Sequence, residues 1–309
     1  MAIAVVRNDN LIDVWKDALR QQAPDIPVYG FGEDFKESEI KMAAVWKHPP
    51  GSLKAYPNLM GIQGLGAGVD FIFEDAEFRE DLPIMRVVDP YLASDMAEFV
   101  LAVTTGMLKR LQHYKYNESL SLWKPETYKR FKEVTVGIMG LGKLGLAVAQ
   151  SLEAAGFSVV GWTRNSLPEV RFPVFRGSAE RTPFLNRSEV LVCLLPLTPE
   201  TRGILNRDVF DVLPKGARLI NVARGPLLED VDLLSALDQG ILSEACLDVF
   251  HSEPLAEDHP FWKHPAVHIT PHIASVSDPE SVAPQIISNY RKLINGAFPE
   301  NTVSRSAGY

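Results

Sequence analysis

Thr135-Val136-Gly137-Ile138-Met139-Gly140-Leu141-Gly142-Lys143-Leu144-Gly145 is the stretch that decides the fold. Its first five residues read as an apolar strand, and Gly140, Gly142 and Gly145 stand at G-x-G-x-x-G spacing. Lys143 and Leu144 then open a helical pattern whose apolar stripe is Leu144, Ala147, Val148 and Leu152, before a second strand ending in Trp162-Thr163-Arg164. A strand, glycine turn, helix and strand in one short unit is the pattern of a dinucleotide site. Gly140 makes the tight turn, and Gly142 lets backbone N–H groups approach a pyrophosphate. Gly145 lets the helix pack close to the strand, with its N-terminus toward the phosphates.

The end of the second strand selects the nucleotide. An NAD site places an acid about 20 residues past the glycines to bond the ribose 2′-hydroxyl. Here Thr163 and Arg164 occupy that place, and no acid follows until Glu169. A carboxylate repels a 2′-phosphate, whereas a guanidinium pairs with it by charge-assisted hydrogen bonds. Arg164 therefore favours NADP(H); the competing reading is a solvated loop cation.

The chain has 309 residues, enough for two domains, with apolar and charged fractions of 46% and 23% that are ordinary for a soluble protein. No apolar run is long enough for a bilayer, so no membrane partner is expected. Met1-Ala2-Ile3-Ala4-Val5-Val6 reads as a first strand rather than a signal peptide. Cys193 and Cys246 lie in apolar runs, read as buried hydrophobes of a cytoplasmic protein, with neither disulfide nor metal spacing. A net charge of −8 argues against nucleic acid. Anionic ligands then need local arginines.

Short β-rich runs alternate with helical patterns over the first ~100 residues, suggesting a small parallel α/β layer. A helical pattern from Tyr91 to Tyr114 bridges it to the second domain, and residues 115–132, with Trp123, Tyr128 and Phe131, read as an arm. Strand–helix alternation resumes at Val134 and runs to about Thr270. The last helix opens at Asp278-Pro279, stops at Gly296, and is expected to fold back onto the first domain. The expected fold is α/β, two doubly wound parallel-sheet domains: 1–98 plus 274–309, discontinuous, for substrate, and 99–273, the larger and Rossmann-type, for the dinucleotide.

Three segments follow strand ends, where a doubly wound sheet puts its site. They are Asn221-Val222-Ala223-Arg224-Gly225-Pro226, Leu247-Asp248-Val249-Phe250-His251-Ser252-Glu253-Pro254 and Ile269-Thr270-Pro271-His272-Ile273-Ala274. Together they supply a guanidinium, a carboxylate and an imidazole. Hydride transfer to a 2-keto acid uses that set. His272 protonates the oxygen, since imidazole titrates near working pH. Glu253, if bonded to the far ring nitrogen, orients the ring and favours its charged form. Arg224 holds the substrate carboxylate or carbonyl in its planar fork. Taken singly, each of the three reads as a surface or capping residue; their convergence on successive strand ends carries the assignment.

With these motifs in view, the chain resembles the D-isomer-specific 2-hydroxyacid dehydrogenase family, nearest its glyoxylate/hydroxypyruvate reductase branch. Gly66-Ala67-Gly68-Val69-Asp70 and Leu195-Pro196-Leu197-Thr198-Pro199-Glu200-Thr201 join the segments above in the family's order. The resemblance implies Arg224, Glu253 and His272 as the catalytic set, and substrate carboxylate at the N–H groups around Ala67 and Gly68. It places Asp248 by the nicotinamide carboxamide, and Leu195, Pro196, Thr201 and Ala223 with His272 around the cofactor. Trp46 and Lys47, at the end of a first-domain strand, line the substrate pocket, or are a core Trp beside an exposed Lys. The implied reactions are NADPH-dependent reduction of glyoxylate to glycolate and hydroxypyruvate to D-glycerate, by a homodimer in which the long helix from Tyr91 and the arm at 115–132 cross between subunits. The alternatives are a relative acting on a larger 2-keto acid, formate or phosphite, and a non-catalytic dinucleotide-sensing binding protein.

Overall fold

The computed structural model describes residues 1–77, 79–164, 167 and 169–304. They divide into two compact units, Met1–Leu92 with Val276–Tyr309, and Ala93–Ser275. The first unit opens with β1 (Ala2–Arg7), α1 (Ile12–Gln22), β2 (Val28–Gly30) and β3 (Ile40–Trp46). β4 (Gly61–Gly64), α2 (Asp70–Phe73) and β5 (Ile84–Met85) complete its sheet, which is parallel throughout in the order β2-β1-β3-β4-β5.

The boundary between the units falls inside α3 (Pro90–Leu108), which α4 (Leu111–Ser119) follows. The single helix expected over Tyr91–Tyr114 is thus two. Arg110 sits in the left-handed region (φ 57°), and its N–H bonds to Met107 in a tightened last turn (3.0 Å). Apolar spacing continues through such a break, so periodicity does not report it. The arm is correspondingly part helix, up to Ser119.

The second unit runs β6 (Thr135–Met139), α5 (Lys143–Ala154), β7 (Ser158–Thr163), β8 (Val174–Arg176), α6 (Arg181–Leu185) and β9 (Val190–Cys193). α7 (Arg207–Phe210), β10 (Ala217–Asn221), α8 (Asp230–Asp238), β11 (Leu242–Leu247) and β12 (Val267–Ile269) follow. Its parallel sheet is ordered β12-β11-β10-β9-β6-β7-β8. The sequence reading lacks β8, a three-residue, partly exposed edge strand too short for a period to show. Side chains alternate between two cores. Met139, Val160, Leu191, Leu219 and Leu247 enter one, while Ile138, Val159, Val192, Ile220 and Cys246 enter the other. With both faces covered, the strands read as continuous apolar runs, as parallel sheets do. Burial pushes both thiols, Cys193 and Cys246, up to about 12, which leaves them unreactive.

The last helix is α9 (Pro279–Ile294), which belongs to the first unit. Asp278 caps it by accepting from Ser281 N–H (3.0 Å), Pro279 fills the first turn, and Gly296 leaves it with φ 70°. Asn289 donates to Gln63 on β4 (3.0 Å), tying the two distant stretches together inside the core.

Candidate active site

Strand order locates the site before any side chain does. β6, β7 and β8 run one way across the sheet, and β9 to β12 run the other, so the direction of winding reverses between β6 and β9. Ligands of open α/β sheets sit at that switch point, beyond the carboxyl ends of the strands. Register sharpens it. Met139, Trp162, Cys193, Asn221, Leu247 and Ile269 are paired in one row across the sheet. Gly140, Thr163, Arg164, Leu195, Ala223, Arg224, Asp248 and His272 all follow that row within three residues.

The turn after β6 has the shape its glycines suggest. Gly140 has φ 106°, and a Cβ on Gly145 would stand 1.9 Å from the Gly140 carbonyl oxygen, so only glycine lets α5 approach. A Cβ on Gly142 would meet nothing within 4 Å. That open space, at the N-terminus of α5 with exposed Lys143 beside it, fits a pyrophosphate. Leu144 is half-buried on the helix behind it.

At the end of β7, Thr163 is buried and Arg164 exposed. The fold also brings an acid there that linear reading of β7 does not find. The Glu200 carboxyl is held below its ordinary range by the Thr198 hydroxyl first (2.8 Å), then by its own backbone, and also by the charge of Arg164. The loop carrying Leu195, Pro196 and Glu200 braces itself. The Thr201 hydroxyl donates to the Pro196 carbonyl (2.7 Å) and accepts from Thr198 N–H (2.8 Å), so Thr201 shapes the loop from within.

Arg224 leaves β10 on a turn built by buried Asn221, which accepts from Ala223 N–H (3.2 Å) and donates to the Arg224 carbonyl (3.0 Å). The guanidinium donates to the Ala223 carbonyl through Nη1 (2.7 Å). A Cβ on Gly225 would fall 1.9 Å from the Phe250 carbonyl carbon, so the Arg224 turn and the Glu253 segment are in direct backbone contact.

Glu253 accepts from Phe250 N–H at Oε1 (3.0 Å), which leaves Oε2 for His272 Nδ1 (2.8 Å). An ionised carboxylate only accepts, so Nδ1 carries a proton and Nε2 is the ring nitrogen that Glu253 does not engage. His272 itself has φ 56°, a strained conformation for a residue with a Cβ. Asp248, 1% exposed, supplies the restraint. Its Oδ1 accepts from the Thr270 hydroxyl (2.6 Å) and Ile273 N–H (2.9 Å), and its Oδ2 from Ala274 N–H (2.9 Å). Asn221 and Thr270 carry no role in the sequence reading; their position at strand ends is the signal that marks them.

In the first unit, Trp46 ends β3 and lies over the loop after β4. A Cβ on Gly66 would stand 2.5 Å from its indole ring, so a bare glycine seats the Trp beside half-buried Ala67 and Gly68. Phe71 meets Trp46 edge-on (5.5 Å, 68°). Among the described residues no helix is long and apolar enough to cross a membrane.

The model of the D-isomer specific 2-hydroxyacid dehydrogenase NAD binding domain matches residues 101–274. A Serratia proteamaculans protein named glyoxylate/hydroxypyruvate reductase A is 39% identical over 302 residues, 96% of this chain and 96% of that one. A Xanthobacter autotrophicus Py2 D-isomer specific 2-hydroxyacid dehydrogenase, solved with NADPH and MES, superposes with a TM-score of 0.94 at 36% identity, covering 100% of this chain and 99% of that one. The NADPH-dependent glyoxylate/hydroxypyruvate reductase of Sinorhizobium meliloti, solved with NADP and sulfate, gives 0.92 at 32% identity, covering 100% and 99%. With a family match over more than half its length and relatives this similar from end to end, the chain belongs to the D-isomer specific 2-hydroxyacid dehydrogenases.

Proposed function

We propose that this protein uses NADPH to reduce small 2-keto acids, glyoxylate to glycolate and hydroxypyruvate to D-glycerate. The observation that carries the reading is the Glu253–His272 contact at 2.8 Å, which leaves Nε2 as the proton-exchanging atom at the strand ends that also hold Arg224. The names of the Serratia and Sinorhizobium relatives support the substrate class, and the NADPH and NADP in two similar structures support the cofactor.

Bound NADPH supplies the hydride to the keto carbon. His272 Nε2 gives the carbonyl oxygen its proton, and Glu253 holds the ring and stabilises its charged form through Nδ1. The Arg224 fork holds carboxylate or carbonyl oxygen and offsets the negative charge that develops there. Gly140, Gly142, Lys143 and Gly145 receive the pyrophosphate, and Thr163 and Arg164 the 2′-phosphate. Leu195, Pro196, Ala223 and Asp248 border the nicotinamide half. In the first unit, the N–H groups of Ala67 and Gly68 receive the substrate carboxylate, with Trp46 limiting substrate size.

Loss of NADPH absorbance with glyoxylate, hydroxypyruvate and a panel of larger 2-keto acids tests this. Turnover of the two small acids is expected. Turnover of phosphite or formate alone overturns it. His272→Ala should lose roughly 10²–10⁴-fold in kcat while still binding NADPH.

The working form is a homodimer joined through the arm. Trp123 is 96% exposed, and Leu120, Leu122 and Tyr128 of the same stretch are exposed as well, apolar side chains suited to a second copy. Phe131 serves its own unit by stacking on Phe157 (4.3 Å). A monomer mass by light scattering at micromolar concentration would remove the dimer.

A further inference from the structure

Two histidines flank Glu253 in the segment between β11 and β12, and both point a ring nitrogen at one carboxylate. His251 Nε2 lies 2.8 Å from the Leu228 carbonyl oxygen. That oxygen only accepts, so Nε2 carries the proton. The same nitrogen is 3.5 Å from Asp230 Oδ1. On the other flank, Phe261 N–H donates to His259 Nδ1 (3.3 Å), which places the ring proton on Nε2, 3.4 Å from Asp230 Oδ2. One carboxylate thus faces two N–H groups, one at each oxygen. The separations are at the outer edge of hydrogen bonding, so the attraction is mainly electrostatic. Because the His251 proton already serves a carbonyl, the cluster is built to pin chain rather than to ligate a metal.

What it pins matters. Asp230 opens α8 just after the Arg224 turn, and the His251–His259 stretch contains Glu253. This stretch is therefore held at two places: at its start by the Gly225–Phe250 backbone contact, and beyond that by Asp230. Burial pushes the Asp230 carboxyl above its ordinary range, and neighbouring Glu229 adds to this, while His251 and His259 oppose it.

We propose that Asp230 is a positioning residue for the reaction: through His251 and His259 it holds the segment bearing Glu253 against the turn bearing Arg224, keeping general acid and guanidinium in one geometry. This rests on the roles given above to Arg224, Glu253 and His272. Asp230 touches no reacting atom in this account; it acts through Glu253.

The test is a double-mutant cycle in kcat with Asp230→Asn and Glu253→Gln, accompanied by hydrogen–deuterium exchange of residues 250–259. Asp230→Asn should lower kcat about 3- to 30-fold, in the range of coupled neighbours, and leave the KM for NADPH unchanged. It should add little to Glu253→Gln, because the carboxylate whose placement it secures is already gone. Combined His251→Phe and His259→Phe should reproduce its effect, since the acid at the start of α8 remains. Exchange in 250–259 should speed up in both variants. Losses that multiply across the cycle, or a histidine double variant with wild-type kcat, would overturn the proposal. A wild type that reduces no 2-keto acid defeats the reading of the reaction and with it any kinetic role for Asp230. Exchange then separates the two failures, since unchanged protection in Asp230→Asn shows that the clamp itself is absent.

Discussion

Asp248 is bonded on both sides of His272: its carboxylate oxygens take the Thr270 hydroxyl before it and the Ile273 and Ala274 N–H groups after it, at 2.6–2.9 Å. The left-handed backbone of His272 is held by a neighbouring strand end, and its ring is held separately by Glu253. Backbone and ring of the proposed general acid thus answer to two different carboxylates.

Asp248→Asn separates those two controls. An amide offers one acceptor oxygen and turns an NH₂ group toward the remaining donors, leaving a buried donor unmatched at about 1–3 kcal/mol. The expected result is a loss of about 10- to 100-fold in kcat for 2-keto acid reduction, with the ring–Glu253 pair still able to form. Steady-state kinetics with an NADPH binding titration checks it. Wild-type kcat in this variant would mean that the segment around His272 keeps its shape unaided.

The glycine turn separates folding from binding in the same way. Gly142→Ala places a methyl in open space with an ordinary φ of −73°, so the protein should fold with a near-native melting temperature and bind NADPH poorly. Gly145→Ala drives a Cβ to 1.9 Å from the Gly140 carbonyl and should lower the melting temperature itself. Thermal melts with and without NADPH distinguish the two. Equal NADPH stabilisation of wild type and Gly142→Ala would place the pyrophosphate elsewhere.

Much of this is legible in the chain because local chemistry and global fold agree. The glycine spacing, the Asp278-Pro279 helix start and the apolar runs of β6, β9 and β10 each have a local physical cause that survives folding. What escapes has a common cause too. Arg110 breaks a helix through one dihedral angle, which leaves no periodic trace. β8 is too short for a period, and Glu200 reaches Arg164 from the loop after β9, a neighbour only in the folded sheet. The roles of Asp248 and Asn221 as backbone acceptors are likewise set by register between strands.

A buried pair in the first unit predicts how stability responds to pH. The His48 side chain is 1% exposed, with Nε2 3.1 Å from Asp75 Oδ2, while Asp75 also accepts from Gly51 and Glu77 N–H groups. Burial pushes the His48 pKa below its ordinary value, and Asp75 opposes that only in part. Between about pH 6.5 and the lower folded value, the unfolded chain binds a proton that the folded chain does not, so stability falls as pH falls. Denaturant midpoints should drop from pH 8 to 5.5, and His48→Gln, which still donates to Asp75 without titrating, should flatten that part of the curve. An equal slope in both proteins would assign the pH response to other groups.

If the 2′-phosphate sits at the end of β7, cofactor choice should turn on Arg164 and Glu200 together. Arg164 stands exposed at the end of β7, and its charge reaches Glu200, whose carboxylate Thr198 holds in place. A 2′-phosphate bound there would gain a guanidinium partner and meet a negative charge nearby. A hydrogen bond to a charged group is worth about 1.5–3 kcal/mol, or roughly 10- to 150-fold, with exposure favouring the lower end. Arg164→Ala should therefore weaken NADPH by about 10-fold and leave NADH nearly untouched. Glu200→Gln should act in the opposite direction, strengthening NADPH by removing repulsion and freeing the guanidinium, with a smaller effect that shrinks as salt rises. Thr163→Asp should reverse the preference, by adding repulsion toward NADPH and a ribose acceptor for NADH. Measured kcat/KM for both cofactors in these variants decides it. Equal losses for NADPH and NADH in Arg164→Ala would make Arg164 a loop cation and move the phosphate site elsewhere.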